Sequence, residues 1–290
     1  FYLKRGCFEL EVHPYNLEIG ADNLAASTQR PKLRAAQMLR DDRIAETLAR
    51  DIRYFWRNYF SEDGLGKEGA PSYSAYGITS LMRSLYDFEG DFDPAEPYVD
   101  DDGRLNLFQM PVYKNCATKM LYYVTEDGRY IPWEDSVYRS SRSTKQYEYM
   151  EQYGGGVPED ERRYLDIERT EDGVNVEFDE SVPLPPRILN DRRKAILRDG
   201  PADEPTICSI DFTKRCGHYH YAVQDIMLHA LGEELASDLG YLGSNHYLVR
   251  DWTKTYPAHN CLTIRAEDGD PRGTGKLRGD LRRHFATSPI

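Results

Sequence analysis

The sequence predicts an α+β chain of two unlike parts, and three observations predict it. Long segments before residue 125 carry apolar side chains at helical spacing. From Pro183 onward the apolar runs are short and are separated by Gly, Pro and Asp. The change of period falls between Ser181 and Pro186, which divides the chain into a helical part, 1–182, and a strand-rich part, 183–290.

Taken in order, Leu24 to Leu39 reads as a first helix and Arg43 to Phe60 as a second, with Ile44, Leu48, Ile52, Phe55 and Tyr59 on one face. The second stops at Ser61-Glu62-Asp63-Gly64, a polar run containing glycine. A third helix is predicted from Ser74 to Tyr86. A fourth, Leu107 to Val124, is interrupted or begun near Pro111, because proline has no N–H to give to the preceding turn. Within Arg163 to Phe178, Thr170-Glu171-Asp172-Gly173 is a turn signal between β-branched residues.

The strand-rich part holds the residues suited to chemistry. His218 and His220 are two apart, so a strand would project both imidazoles from one face. Tyr221 to Ala230 alternates loosely, Leu231-Gly232-Glu233 reads as a turn, and Glu234 to Gly240 as a returning strand. Such a hairpin would carry Asp238 back towards His220. Ala258 to Ile264 is predicted as a third strand, bearing His259. Three donors from neighbouring strands would form an open site for a divalent metal. The alternative is that these are surface or core residues satisfied by hydrogen bonds, since the spacing matches no standard zinc signature.

Composition narrows the setting. The formal charge of −12 disfavours a nucleic-acid partner, because phosphate binding needs a basic face. Arg30, Lys32, Arg34, Arg192, Arg193, Lys194 and Arg198 are the candidates for a local basic cleft. No apolar run approaches the length needed to cross a bilayer, so no membrane insertion is expected, and neither an initiating Met nor a signal peptide is present. The five cysteines, Cys7, Cys116, Cys208, Cys216 and Cys261, show no CxxC spacing and suggest neither a disulfide framework nor a thiolate zinc site.

A longer order of landmarks carries a resemblance. Ala195-Ile196-Leu197-Arg198-Asp199-Gly200, Gly217-His218-Tyr219-His220, Ala230-Leu231-Gly232, Asp238-Leu239-Gly240, Tyr247, Trp252 and Ala258-His259-Asn260 together resemble the heparinase II/III-like polysaccharide lyases. Upstream, Asp63-Gly64-Leu65-Gly66-Lys67-Glu68-Gly69-Ala70-Pro71-Ser72-Tyr73 is similar to the family segment that carries its catalytic tyrosine. Asp127-Gly128-Arg129-Tyr130-Ile131-Pro132-Trp133-Glu134-Asp135-Ser136 resembles a further landmark.

The resemblance implies a partial (α/α) toroid followed by an antiparallel β-sandwich, with the chain holding the later toroid helices and part of the sandwich. It also implies a carbon–oxygen lyase that cleaves uronic-acid glycans by β-elimination. Its partner would be an acidic polysaccharide or oligosaccharide such as heparin, heparan sulfate, alginate or a related polymer, and its setting periplasmic or secreted.

On the same basis Tyr73, His218 and Asn23 are the catalytic candidates. Tyr76 rivals Tyr73, and Asn23 also suits a helix N-cap. His220, Asp238 and His259 match the family's metal ligands, for a zinc ion that is structural and not catalytic. Two departures stand out: Ala222 occupies a position that is often acidic in the family, leaving Asp225 as the nearest acid, and Leu24 follows Asn23 where some relatives have histidine. A non-catalytic carbohydrate-binding relative is one alternative. A metal-dependent glycan hydrolase assisted by Glu68 or Asp225 is the other.

Overall fold

The protein was analysed as a computed structural model, which describes residues 27, 31–32, 34–35, 38–39, 51–52, 54–86, 109, 111–137, 141–212, 220, 224–241, 252–255 and 258–261. It is an α+β structure of helices and antiparallel sheets. The described positions between 27 and 39 are helical, as are residues 54–59, in keeping with the first two predicted helices. Helix α1 is Pro71–Tyr86, α2 Pro111–Lys119, α3 Lys145–Tyr153 and α4 Glu159–Arg162. Pro111 therefore begins its helix, where a missing N–H costs nothing. A 3-10 turn, Met120–Tyr122, continues α2.

The helical part is held by aromatic packing. Phe55 stacks on Tyr59 at 4.7 Å, Trp56 stacks on Phe60 at 4.8 Å and meets the edge of Tyr113 at 5.0 Å. Gly66 is required here, since an added Cβ would lie 2.5 Å from the Tyr59 ring. Helix α3 docks through Tyr147, whose ring meets Phe178 edge-on at 5.9 Å and whose hydroxyl donates to the Thr118 carbonyl.

Two sheets follow. Strands β1 (Leu165–Thr170) and β2 (Gly173–Phe178) form a hairpin closed by the predicted Thr170–Gly173 turn. Strands β3 (Arg187–Leu189), β4 (Lys194–Asp199), β5 (Thr206–Asp211), β6 (Asp225–Ala230) and β7 (Glu233–Ala236) form a five-stranded meander, antiparallel throughout and in chain order. The β6–β7 turn is Leu231-Gly232, with both residues at positive φ. The sheet's inner face carries Leu189, Ile196, Ile207 and Met227 into the same buried cluster as the helical aromatics. The register aligns Ile188, Ala195, Ile210 and Ile226 across the other face, with Leu197, Cys208, Leu228 and Ala236 one row along. Ile188 is 66 %, Leu197 47 % and Ile226 43 % exposed there.

The sheet hangs from the helical part through its β3–β4 turn. Asp63 accepts from the backbone N–H groups of Asp191 and Arg192, and the Arg192 guanidinium donates to the carbonyls of Tyr59 and Leu65. This corrects part of the basic-cleft expectation. Arg192 is a docking residue. Lys194 is fully buried in an ion pair with Asp211, 3.8 Å from Glu134 and over the Trp133 ring. Lys32 is buried too, and Arg30 lies outside the described residues.

Candidate functional site

The segment Trp133-Glu134-Asp135-Ser136 is the hub of the site, and each residue in it holds a different element. Ser136 Oγ accepts from the Ser72 backbone N–H, while Ser72 Oγ accepts from Val137, which fixes the first turn of α1 and the Tyr73 that follows. Ser136 also accepts, through its carbonyl, from the N–H of Tyr241. Glu134, at φ +56°, turns its carboxylate to the backbone N–H of His220 at 2.5 Å. Burial, and then the charge of Asp211, push the Glu134 carboxyl up to about 8, against the pull of Lys194. Asp135 accepts from Lys254 Nζ and lies against His220 Nε2, both at 2.9 Å.

His220, Asp238 and His259 are all buried, and one donor atom from each falls within 4.8 Å of the others. Asp238 arrives as the hairpin reading expects: β7 returns beside β6, and the chain then bends at Gly240, whose N–H donates to Asp238 Oδ1 at 2.7 Å. Only glycine suits position 240, because φ is +52° and a Cβ would lie 2.4 Å from the Ser136 carbonyl. Over their described residues, however, two expected strands do not form. His220 is in irregular backbone, and residues 258–261 are turns, anchored by the Asn260 N–H on Asp225 and by the Asn260 carbonyl accepting from Ile226. Side chains projecting from adjoining loops, not a continuous sheet, bring the three residues together.

The donor chemistry fits a metal ion. His220 Nδ1 and His259 Nε2 are buried without a hydrogen-bond partner, the condition that a bound cation would relieve. Asp135 on the far nitrogen of His220 orients that ring and leaves Nδ1 available. Burial lowers the His220 pKa, keeping the imidazole neutral as a ligand must be. Burial alone would lower His259 as well. Its contacts with Asp225 (3.5 Å) and Asp238 (2.9 Å) override that and raise it. A divalent cation would supply directly the positive charge that these two carboxylates draw onto the ring, with release of the proton.

Tyr73 is half-buried at the start of α1, edge-on to the Tyr241 ring at 6.5 Å. Its pKa is pushed up to about 12, by burial first and then by the charges of Asp135, Tyr241 and Glu68. The phenol is therefore protonated at neutral pH. Tyr76 is 50 % exposed. Asn23 and His218 lie outside the described residues. Asp135, Glu134 and Lys254 are the neighbours that sequence reasoning missed, although Glu134 and Asp135 stand inside a quoted landmark.

No family model matches the sequence, and no curated protein matches it. The fold is similar to the crystal structure of the heparan sulfate lyase HepC from Pedobacter heparinus, with a TM-score of 0.59 at 13 % identity, over 92 % of this chain and 40 % of that one. It is also similar to a crystal structure of heparinase III, with a TM-score of 0.58 at 15 % identity, over 90 % of this chain and 41 % of that one. The likeness is one of fold, and the chain spans about 40 % of the length of the first of these proteins. The structures that share this fold are of the protein group that the sequence motifs resemble.

Proposed function

We propose, from the fold it shares with heparinase III structures, that this chain is the site-bearing portion of a polysaccharide lyase that cleaves uronate glycans by β-elimination. In this reading residues 1–182 belong to an (α/α) toroid and residues 183–290 to a β-sandwich. The apolar outer face of the five-stranded sheet supports the second assignment, being the kind of face that a sandwich buries against a second sheet. The setting is periplasmic or secreted, where such polymers are met.

The observation that carries the proposal is Asp135, which lies against His220 of the candidate metal group and, after burial, adds to the rise in the Tyr73 pKa. A phenol held near 12 is a poor base and a competent acid. Tyr73 thus protonates the departing O4, and removal of the C5 proton falls to His218, two residues before the anchored His220. Asn23 neutralises the uronate carboxylate so that negative charge can develop at C5. His220, Asp238 and His259 would hold zinc, which when bound would tie His220 to the turns at 238–240 and 258–261.

The hydrolase reading draws less support. Glu68 accepts from the Tyr59 hydroxyl, and Asp225 is engaged by His259 and the Asn260 N–H, so both carboxylates are already committed. The test is the ultraviolet absorbance of the conjugated double bond formed by elimination, followed on a panel of uronate polysaccharides. A rise abolished by Tyr73→Phe and by His218→Ala is expected. Glycan binding without any rise, from a folded and zinc-loaded chain, would leave the binding-only relative in its place.

A further inference from the structure

Glu134 and Asp135 are neighbours in the chain, yet both reach the same residue. The Glu134 carboxylate accepts from the His220 backbone N–H at 2.5 Å, and Asp135 Oδ1 lies 2.9 Å from His220 Nε2. Extended backbone would send two successive side chains to opposite sides. The left-handed backbone at Glu134, φ +56°, turns both towards His220, so that one holds its main chain and the other its ring.

That conformation is uncommon for a residue with a side chain, and it costs free energy. Glycine would adopt it without strain, but glycine has no acceptor to offer the His220 N–H, which lies in a buried residue. A buried N–H left without a partner is costly. The strain at Glu134 is therefore offset by what its side chain reaches. Glu134 is itself held from the sheet. Its other oxygen lies 3.8 Å from Lys194 Nζ on β4, and Lys194 pairs with Asp211 on β5. A chain of contacts thus runs from β4 and β5 through Glu134 to the main chain of His220. Strand β7 of the same sheet leads into Asp238, so two members of the metal group are set from one frame.

We propose that Glu134 is a positioning residue for the metal group: its side chain accepts one hydrogen bond that fixes the main chain of His220, while Asp135 fixes the ring and leaves Nδ1 for the ion. The task needs an acceptor at the right reach and not a negative charge. The proposal rests on the metal binding proposed above for His220, Asp238 and His259, and it extends that reading to a residue outside the donor set.

Three replacements separate the acceptor from the charge and from the backbone. Glu134→Gln keeps the reach and the acceptor but not the charge. Glu134→Asn tolerates a left-handed backbone but is shorter by a methylene, and Glu134→Gly frees the backbone and offers no acceptor. Zinc affinity of the full chain is read by competition with a chromogenic chelator, at a temperature where circular dichroism shows each zinc-free protein folded. Glu134→Gln should stay within about threefold of the parent chain, and the Asn and Gly variants should bind about tenfold or more weakly, the scale of losing an orienting partner. With cobalt(II) in place of zinc, the visible bands, which report ligand geometry, should match the parent in Glu134→Gln and shift in the other two. A purely structural Glu134 would change stability alone. Parental affinity and bands in the Asn and Gly variants, or a Gln variant as weak as they are, overturns the proposal. Asn carries the comparison if Gly does not fold. A parent chain that takes up neither zinc nor cobalt removes the metal reading, and this proposal with it.

Discussion

Asp135 lies 2.9 Å from His220 and 2.9 Å from Lys254, using a different oxygen for each, so one carboxylate joins the candidate metal group to a lysine 119 residues further along the chain. Its loss therefore acts on the metal before it acts on the fold. Asp135→Asn should weaken zinc binding by roughly 10–100-fold, the usual effect of removing such an orienting partner, as read by competition with a chromogenic chelator. The same substitution removes a charge that raises the Tyr73 pKa, so the phenol should titrate at lower pH in ultraviolet difference spectra. An unchanged zinc affinity would remove Asp135 from the site.

Gly240 makes a second, independent test of the metal group. Gly240→Ala must accommodate a Cβ 2.4 Å from the Ser136 carbonyl as well as a left-handed backbone. The left-handed conformation alone costs about 1–2 kcal/mol for a residue with a side chain. We expect the unfolding free energy from urea titration to fall by at least that amount, together with reduced zinc content, because Asp238 is held by the same turn.

Lys194 is fully buried between Asp211 and Glu134. Replacing it with Met strands two carboxylates in the interior, and breaking a buried pair in this way typically costs about 3–5 kcal/mol. Chemical denaturation of Lys194→Met should show a loss of that order. Adding Asp211→Leu should return part of it, since the stranded charge is then removed.

His229 gives the fold a pH dependence of defined sign. Burial holds its pKa below the ordinary value of about 6.5, with Glu234 only partly opposing. Below that ordinary value the unfolded chain binds a proton that the folded chain refuses. The His229 contribution is therefore complete above ~6.5 and is lost as the pH falls towards the lower folded value. The stability difference between pH 7.5 and 5.5, numbers chosen to bracket a pKa of about 6.5, should shrink in His229→Leu. An identical difference in the two proteins would exclude the residue.

Much of the scaffold was legible because it depends on local signals. The Ser61–Gly64 stop, the start at Pro111 and the turns at 170–173 and 231–232 are each fixed by Gly, Pro or polar residues whose preferences act over a few positions. His220, Asp238 and His259 could be grouped for the same reason, since a hairpin returns one towards another. Helix α3 went unread because its apolar residues, Tyr147, Met150 and Tyr153, lie among charged and amide side chains, and burial against Phe178 decides their fate. Asp135 and Lys194 were illegible for a stronger reason. Their roles rest on partners 85 and 17 residues away, and no period in the sequence encodes that meeting. The strand expected at 258–264 failed over its described part because Asn260 gives its backbone N–H to the Asp225 side chain, not to a ladder.

The outer face of the five-stranded sheet has a consequence for handling the molecule. Ile188, Leu197 and Ile226 present an exposed apolar patch, bordered among the described residues by the edge strands β3 and β7. Such a surface seeks cover from whatever is at hand. In isolation the chain should scatter light increasingly with concentration, and charged replacements at Leu197 and Ile226 should keep it monodisperse.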